Sequence, residues 1–148
     1  MSVPARLKLL DPMLRQLLHS ASEEGRRRAA LTVSNLAVDR AEIADPRLGA
    51  ALERLQGGWY GDSPERNALQ ALVEELDEAA WDVQDRVEAG TADQAAYVKA
   101  FVKARTARAV WYALDPDPLA AAAEATYEAS AAIEDPEEVR TAVQGSLI

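Results

Sequence analysis

The chain of 148 residues contains no cysteine, one histidine and one phenylalanine. Without cysteine there is no disulfide, no thiolate metal site and no thiol nucleophile, and the chain is indifferent to the redox state of its compartment. With His19 as the only imidazole, serine–histidine catalysis would have to run through that residue, and nothing around it forms a nucleophile elbow. Its place at the end of a short helical segment suits a C-terminal cap better. The Glu-x-x-His repeats of a carboxylate di-metal bundle are missing too. Paired acids such as Glu75 and Asp82 suit a solvated helix face better than acid–base chemistry. The sequence therefore predicts no catalytic residue, no metal and no cofactor.

Long apolar runs are also missing, so no segment reads as membrane-spanning. Near the start, Arg6, Lys8, Asp11 and Arg15 interrupt any signal-peptide core, which makes a cytoplasmic protein the expectation. Clustered basic residues are scarce: the net charge is −9. Up to Gly57 there are nine Lys or Arg against seven acids, and from Gly58 onward seven against eighteen. Such an acidic second part argues against nucleic acid, whose phosphates need clustered cations, and favours a partner with a basic surface. Arg26, Arg27 and Arg28 form the only basic run. They sit near a helix start, where the dipole does not favour them, and read as a solvated face.

Alternating β-branched stretches do not occur, whereas helix punctuation is plentiful. Five prolines follow a capping residue, at Asp11-Pro12, Asp45-Pro46, Ser63-Pro64, Asp117-Pro118 and Asp135-Pro136. In this pattern the side-chain oxygen takes a free N–H and proline fills a position that needs no donor. Capping boxes at Ser20 with Glu23 and at Thr91 with Gln94 mark two further starts. Gly57-Gly58, Gly90 and Gly145 mark ends. Short helices are predicted near 12–19, 46–56 and 136–143, with longer ones near 21–44, 64–89, 92–114 and 118–133. The fold expected is a single all-α domain, a bundle of about seven helices around a central helix, 92–114. The first short helix carries Leu10, Met13, Leu14, Leu17 and Leu18 on one face, as a docking or an oligomerisation element would.

Placing successive residues 100° apart puts Tyr97, Phe101, Ala104, Arg108 and Trp111 in one arc of the central helix, flanked by Val98, Val102, Ala109 and Tyr112. So broad an apolar face suits a helix with several neighbours. Arg108 interrupts it, as Arg40 interrupts the apolar face of 21–44. Each is expected to lay its stem along the core and send its guanidinium to a carboxylate or carbonyl at the rim. The alternative is a pair of cations beside an interhelical ligand pocket, with Trp59 and Tyr60 of the loop GGWYGDS as its aromatic members. In that loop the aromatics are expected mainly to plug the end of the core. Farther on, Glu124 and Glu128 lie one turn apart on one side of an alanine-rich helix, where packing accounts for them.

The helix 64–89 turns Leu69, Leu72, Leu76, Ala79, Ala80, Val83 and Val87 to one side and Trp81 to the other. Around Trp81 stand Glu74, Asp77, Asp85 and Glu88. A large aromatic among carboxylates, facing away from the core, has the make-up of an interface hot spot for a cationic partner. A covering segment would instead make Trp81 part of the interior.

One resemblance adds to this. The segment Asp45-Pro46-Arg47-Leu48-Gly49-Ala50-Ala51-Leu52-Glu53, the following Trp59, and the stretch AVWYALDPDPLAAAAEATYEASAAI resemble a group of small alanine-rich helical proteins of actinobacterial type. Some of that group are classed as immunity proteins of polymorphic toxin systems. The resemblance spans roughly 36–133 and implies an all-helical, toxin-neutralising protein; it carries over no functional residue. The leading expectation is a protein-binding module, of immunity type, that neutralises a basic effector through the Trp81 face. A structural homo-oligomer and a small-molecule binder or enzyme at Arg40 and Arg108 are the alternatives.

Overall fold

A computed structural model describes residues 11–148, which form seven α-helices. They are α1 (Pro12–Ser20), α2 (Glu23–Ala41), α3 (Pro46–Gly57), α4 (Pro64–Glu88), α5 (Gln94–Ala113), α6 (Pro118–Ala132) and α7 (Pro136–Ser146). Leu10 and the charges at Arg6 and Lys8 lie outside the described residues. None of the described helices is long and apolar enough to cross a membrane.

All five cap–proline pairs open helices. Asp11, Asp45, Ser63, Asp117 and Asp135 each accept a first-turn backbone N–H, at 3.1, 2.9, 3.0, 3.2 and 3.1 Å. The other two starts fall two residues later than the capping boxes predict. Ser22 accepts from the Gly25 N–H at 3.0 Å, and Asp93 from the Ala96 N–H at 2.9 Å. In each case a second capping residue lies closer to the helix. Thr91 instead donates its hydroxyl to the Arg86 carbonyl at 3.2 Å, closing the α4–α5 turn. Gly58 and Gly90 take left-handed conformations, φ 77° and 80°, at the ends of α3 and α4. Gly145 ends nothing; α7 runs on to Ser146. Glu42 stops α2 with φ 53°, a conformation an L-residue seldom adopts and the sequence does not announce.

Helix α5 packs against α2, α3, α4 and α6, which makes it the central helix. Helix α6 lies deepest, with Ala121, Ala122, Ala123, Ala125 and Ala129 fully enclosed. Alanine there lets α2 and α5 approach α6 closely. Larger side chains, Leu14, Leu18, Leu69 and Leu114, fill the space toward the edges. Helix α1 docks on α6 and α7 through Leu14 and Leu18, while Met13 faces water. Along α4, Leu69, Leu72 and Ala80 are buried as expected; Val73 joins them, and Ala79 is exposed.

The basic run at 26–28 is more than a solvated face: Arg26 and Arg27 are partly buried, and only Arg28 is exposed. Arg26 donates to the carbonyls of Leu18 and His19 in the last turn of α1, at 2.9 and 2.6 Å. Arg27 donates to Asp115 and Pro116, at 2.7 and 2.8 Å, and more weakly to Ala113 at 3.4 Å, all at the end of α5. Arg28 donates to Ser146 in the last turn of α7, at 2.8 Å. Three consecutive residues of a helix point 100° apart, so the run fans out to three helix ends on three sides. Their own helix start disfavours these cations, but three foreign C-termini attract them.

Around Arg27 the fan is reinforced. Its guanidinium lies 3.6 Å from the Tyr60 ring centroid, so Tyr60 plugs the end of the core. The Gly61 N–H donates to the Leu114 carbonyl at 2.7 Å. Arg66, buried on α4, stacks 3.9 Å over Trp111 and donates to that residue's carbonyl at 3.2 Å. Burial pushes both the Arg27 and Arg66 guanidinium groups below their ordinary range, against the pull of nearby Asp115. Replacing Arg27 by alanine should cost about 2–3 kcal/mol, the scale of hydrogen bonds from a charged donor. Lysine should recover less than half of that, since one ammonium does not span carbonyls the planar fork reaches. Urea unfolding of the two variants beside the parent measures both.

Candidate functional site

Helix α4 has 25 residues and α5 has 20, while α6 has 15. At 1.5 Å per residue α4 exceeds α6 by about 15 Å, nearly three turns, and α5 exceeds it by about 7.5 Å, more than one turn. Joined by a turn at 89–93, they leave the bundle as a helical hairpin. From 81 to 103 no residue is buried, although the segment carries Trp81, Val83, Val87, Tyr97, Val98, Phe101 and Val102. That much unburied apolar side chain on a two-helix projection sets this segment apart from the rest of the described residues.

One side of the hairpin is a groove of about 500 Å³. Its α4 wall is Asp77, Ala80, Trp81, Gln84 and Glu88; its α5 wall is Gln94, Tyr97, Phe101, Ala104 and Arg105. These positions recur at three- and four-residue intervals, one face of each helix. Trp81 is 71% exposed. Tyr97 and Phe101 are stacked, ring centroids 6.0 Å apart and planes 27° from parallel. Ala80 and Ala104 are buried between the larger side chains and leave space at the floor.

Two ion pairs lie at the groove's inner end. Arg108 of α5 pairs with Asp77 of α4, each side chain a third exposed. Arg105 donates to Glu128 of α6 at 2.9 Å and lies 5.0 Å over the Phe101 ring. The Glu128 side chain has no exposed surface. A buried carboxylate on one side and an aromatic ring on the other thus hold the Arg105 cation at the groove wall. No histidine, serine or threonine lines this groove, and the described residues hold no cluster able to bind a metal ion. What the arrangement offers is adhesion: aromatic faces, small gaps and charge.

Among the residues proposed from sequence, Glu74, Asp85 and Glu88 are exposed around Trp81. Asp77 belongs to the groove but is neutralised by Arg108, so it is no free rim carboxylate. The four members of the alternative pocket are not brought together. Arg40 pairs with Glu138 of α7 near the surface, and Arg108 faces α4. Tyr60 lies beneath Arg27. Trp59 rests on Gly57, where an added Cβ would meet its ring at 2.6 Å, and remains 65% exposed. The loop aromatics therefore divide, Tyr60 as a plug and Trp59 on the surface.

Tyr97 and Phe101 are site residues that the periodicity misassigns, and Arg105 is one that the sequence reading does not single out. A helical wheel puts the first two in the core arc because it ignores how far a helix outruns its neighbours. The unequal spans 64–89, 92–114 and 118–133 carry that signal. Comparison of the chain with protein-family models, curated proteins and solved structures finds no match.

The two ion pairs differ in access to water, which gives a direct test. Arg108→Met leaves Asp77 at a third exposure and should change stability by about 1 kcal/mol or less. Arg105→Met removes a charged hydrogen bond to a fully buried carboxylate and should cost about 1.5–3 kcal/mol. Urea denaturation of both variants compares them; equal costs would show that burial does not set the difference.

Proposed function

We propose that this chain is a cytoplasmic protein-binding module whose α4–α5 hairpin takes a partner with a basic surface, in the manner of an immunity protein that neutralises a basic effector. The observation that carries the reading is Trp81, 71% exposed at the lip of an aromatic groove. Beside it, on the side of α4 away from α5, Glu74, Glu78, Asp82 and Asp85 are all exposed. Tryptophan dominates interface energetics when it enters a partner's pocket. The acids beside it attract a cationic surface and hasten encounter, an effect that salt screens. The immunity type is what the resemblance of 36–133 to small alanine-rich helical proteins, some of them classed as immunity proteins, implies. A homo-oligomer through the same face would bring two acidic α4 rims together on chains that each carry −9, and a small-molecule site at Arg40 and Arg108 lacks a common cavity.

The test compares the parent with Trp81→Ala and with the double variant Glu78→Lys, Asp85→Lys, in melting temperature and in capture of protein from a native lysate. Both variants should fold as the parent does, with Trp81→Ala within about 0.5 kcal/mol of it. Each should lose the captured partner, Trp81→Ala by about 2 kcal/mol or more of binding free energy. Capture by the parent should weaken as salt is raised. A fall of many degrees in the Trp81→Ala melting temperature, with capture unchanged, would make Trp81 a folding residue and end the proposal.

A further inference from the structure

The geometry points to a particular kind of occupant for the groove: an amphipathic α-helix of the partner, laid lengthwise, with an apolar stripe toward Phe101 and a basic edge along α4. This inference rests on the reading of the hairpin as a site for a basic partner and adds the form of the element recognised. Both walls are helices whose backbone N–H and C=O groups are already used within each helix. The groove therefore has no strand edge with which an extended peptide could pair. An extended segment lowered onto these aromatics would bury its own amides without partners, at a cost comparable to lost hydrogen bonds. A helix satisfies its backbone internally and meets no such cost.

The dimensions agree. From Asp77 to Glu88 the α4 wall rises about 16 Å, three turns of helix. Each wall sets one aromatic ridge near one small gap, Trp81 beside Ala80 on α4 and Phe101 a turn from Ala104 on α5. Apolar side chains at three- and four-residue spacing on a third helix would enter such gaps as knobs enter holes. The charges set which edge of that helix is basic. Glu78, Asp82 and Asp85 stand on the α4 side and are exposed, whereas the α5 wall carries Arg105. Cations of the occupant thus belong next to Trp81, where the indole face also attracts them.

Three synthetic peptides decide this, each fluorescently labelled and titrated with the full chain in an anisotropy measurement. The first is a Leu/Lys amphipathic helix of about four turns, the second its Leu/Glu counterpart, and the third a Leu/Lys peptide of the same length broken by a central proline. The intact Leu/Lys peptide should bind, gain helicity on binding, and bind at least ten-fold more tightly than either of the others. Trp81→Ala, and separately Glu78→Lys with Asp85→Lys, should each weaken it ten-fold or more. Equal binding of the intact and proline-broken peptides would overturn the helical occupant while leaving a basic partner in place. Failure to prefer Leu/Lys over Leu/Glu would sink the basic-partner reading itself. Unchanged binding to Trp81→Ala would put the peptide elsewhere and overturn the inference, as would no binding at all. Sedimentation of the free chain closes the remaining route: a dimer that Trp81→Ala dissociates would make a second copy the occupant.

Discussion

Three consecutive arginines determine how this bundle converges. Arg26, Arg27 and Arg28 sit in the first turns of α2 and reach the C-terminal ends of α1, α5 and α7. Neither α5 nor α7 has a basic residue in its own last turn, so α2 supplies the charge that their dipoles favour. Because the three donors are adjacent in sequence, three helix ends must gather around one turn of α2. The orientation of α5 follows. With its C-terminus fixed beside Arg27, its 20 residues carry the N-terminus about 30 Å away. Helix α6 turns back after Asp117 and ends at Ala132, about 22 Å along. The overhang that becomes the groove is thus a consequence of where α5 is held.

The distribution of large side chains points the same way. The interior of α6 is alanine, which permits close approach and contributes little apolar area per residue. The single phenylalanine, Phe101, lies in the hairpin groove, and of the three tryptophans Trp59 and Trp81 are exposed while Trp111 is half-buried under Arg66. Tyr60, Trp111 and Tyr127 pack against the core from its edges without being buried in it. The bundle is held by caps, close helix contacts and charge-assisted bonds such as Arg47 to Asp45 and Glu75. In that last group the Arg47 hydrogen bonds hold the Asp45 and Glu75 carboxyls below their ordinary range, tying the start of α3 to the middle of α4.

What could be read from sequence was whatever is local. Each Asp-Pro or Ser-Pro start involves atoms within three residues, and all five are helix starts in the structure. The direction of Trp81, opposite Leu72 on the same helix, was legible too, but whether another segment covers it was not; the structure leaves it 71% exposed. Non-local electrostatics was not legible. Arg26 to Arg28 looked ill-placed because only their own helix dipole could be weighed, and the three foreign C-termini were out of view. Glu128 looked like an ordinary member of an alanine-rich helix, yet it is wholly buried against Arg105. Tyr97 and Phe101 were assigned to the core because periodicity gives direction around a helix and says nothing of position along it relative to a shorter neighbour.

The same geometry grades stability along α4 and α5. At the inner end Arg66 grips the Trp111 carbonyl and Leu69, Leu72 and Val73 are buried. Midway, Asp77–Arg108 clamps the two helices to each other and Arg105–Glu128 ties α5 to α6. Beyond them, among the described residues, the two helices are joined to each other through the Arg86 carbonyl and the turn at Gly90. Local opening should become easier in that order, since protection from opening follows buried apolar contact. A groove at the outer end of such a gradient can widen to admit side chains without disturbing the arginine fan at the other end. The exposed groove and the buried contacts that hold the fold are thereby separated along one pair of helices, and the ion pairs at Asp77 and Arg105 stand at the border between them.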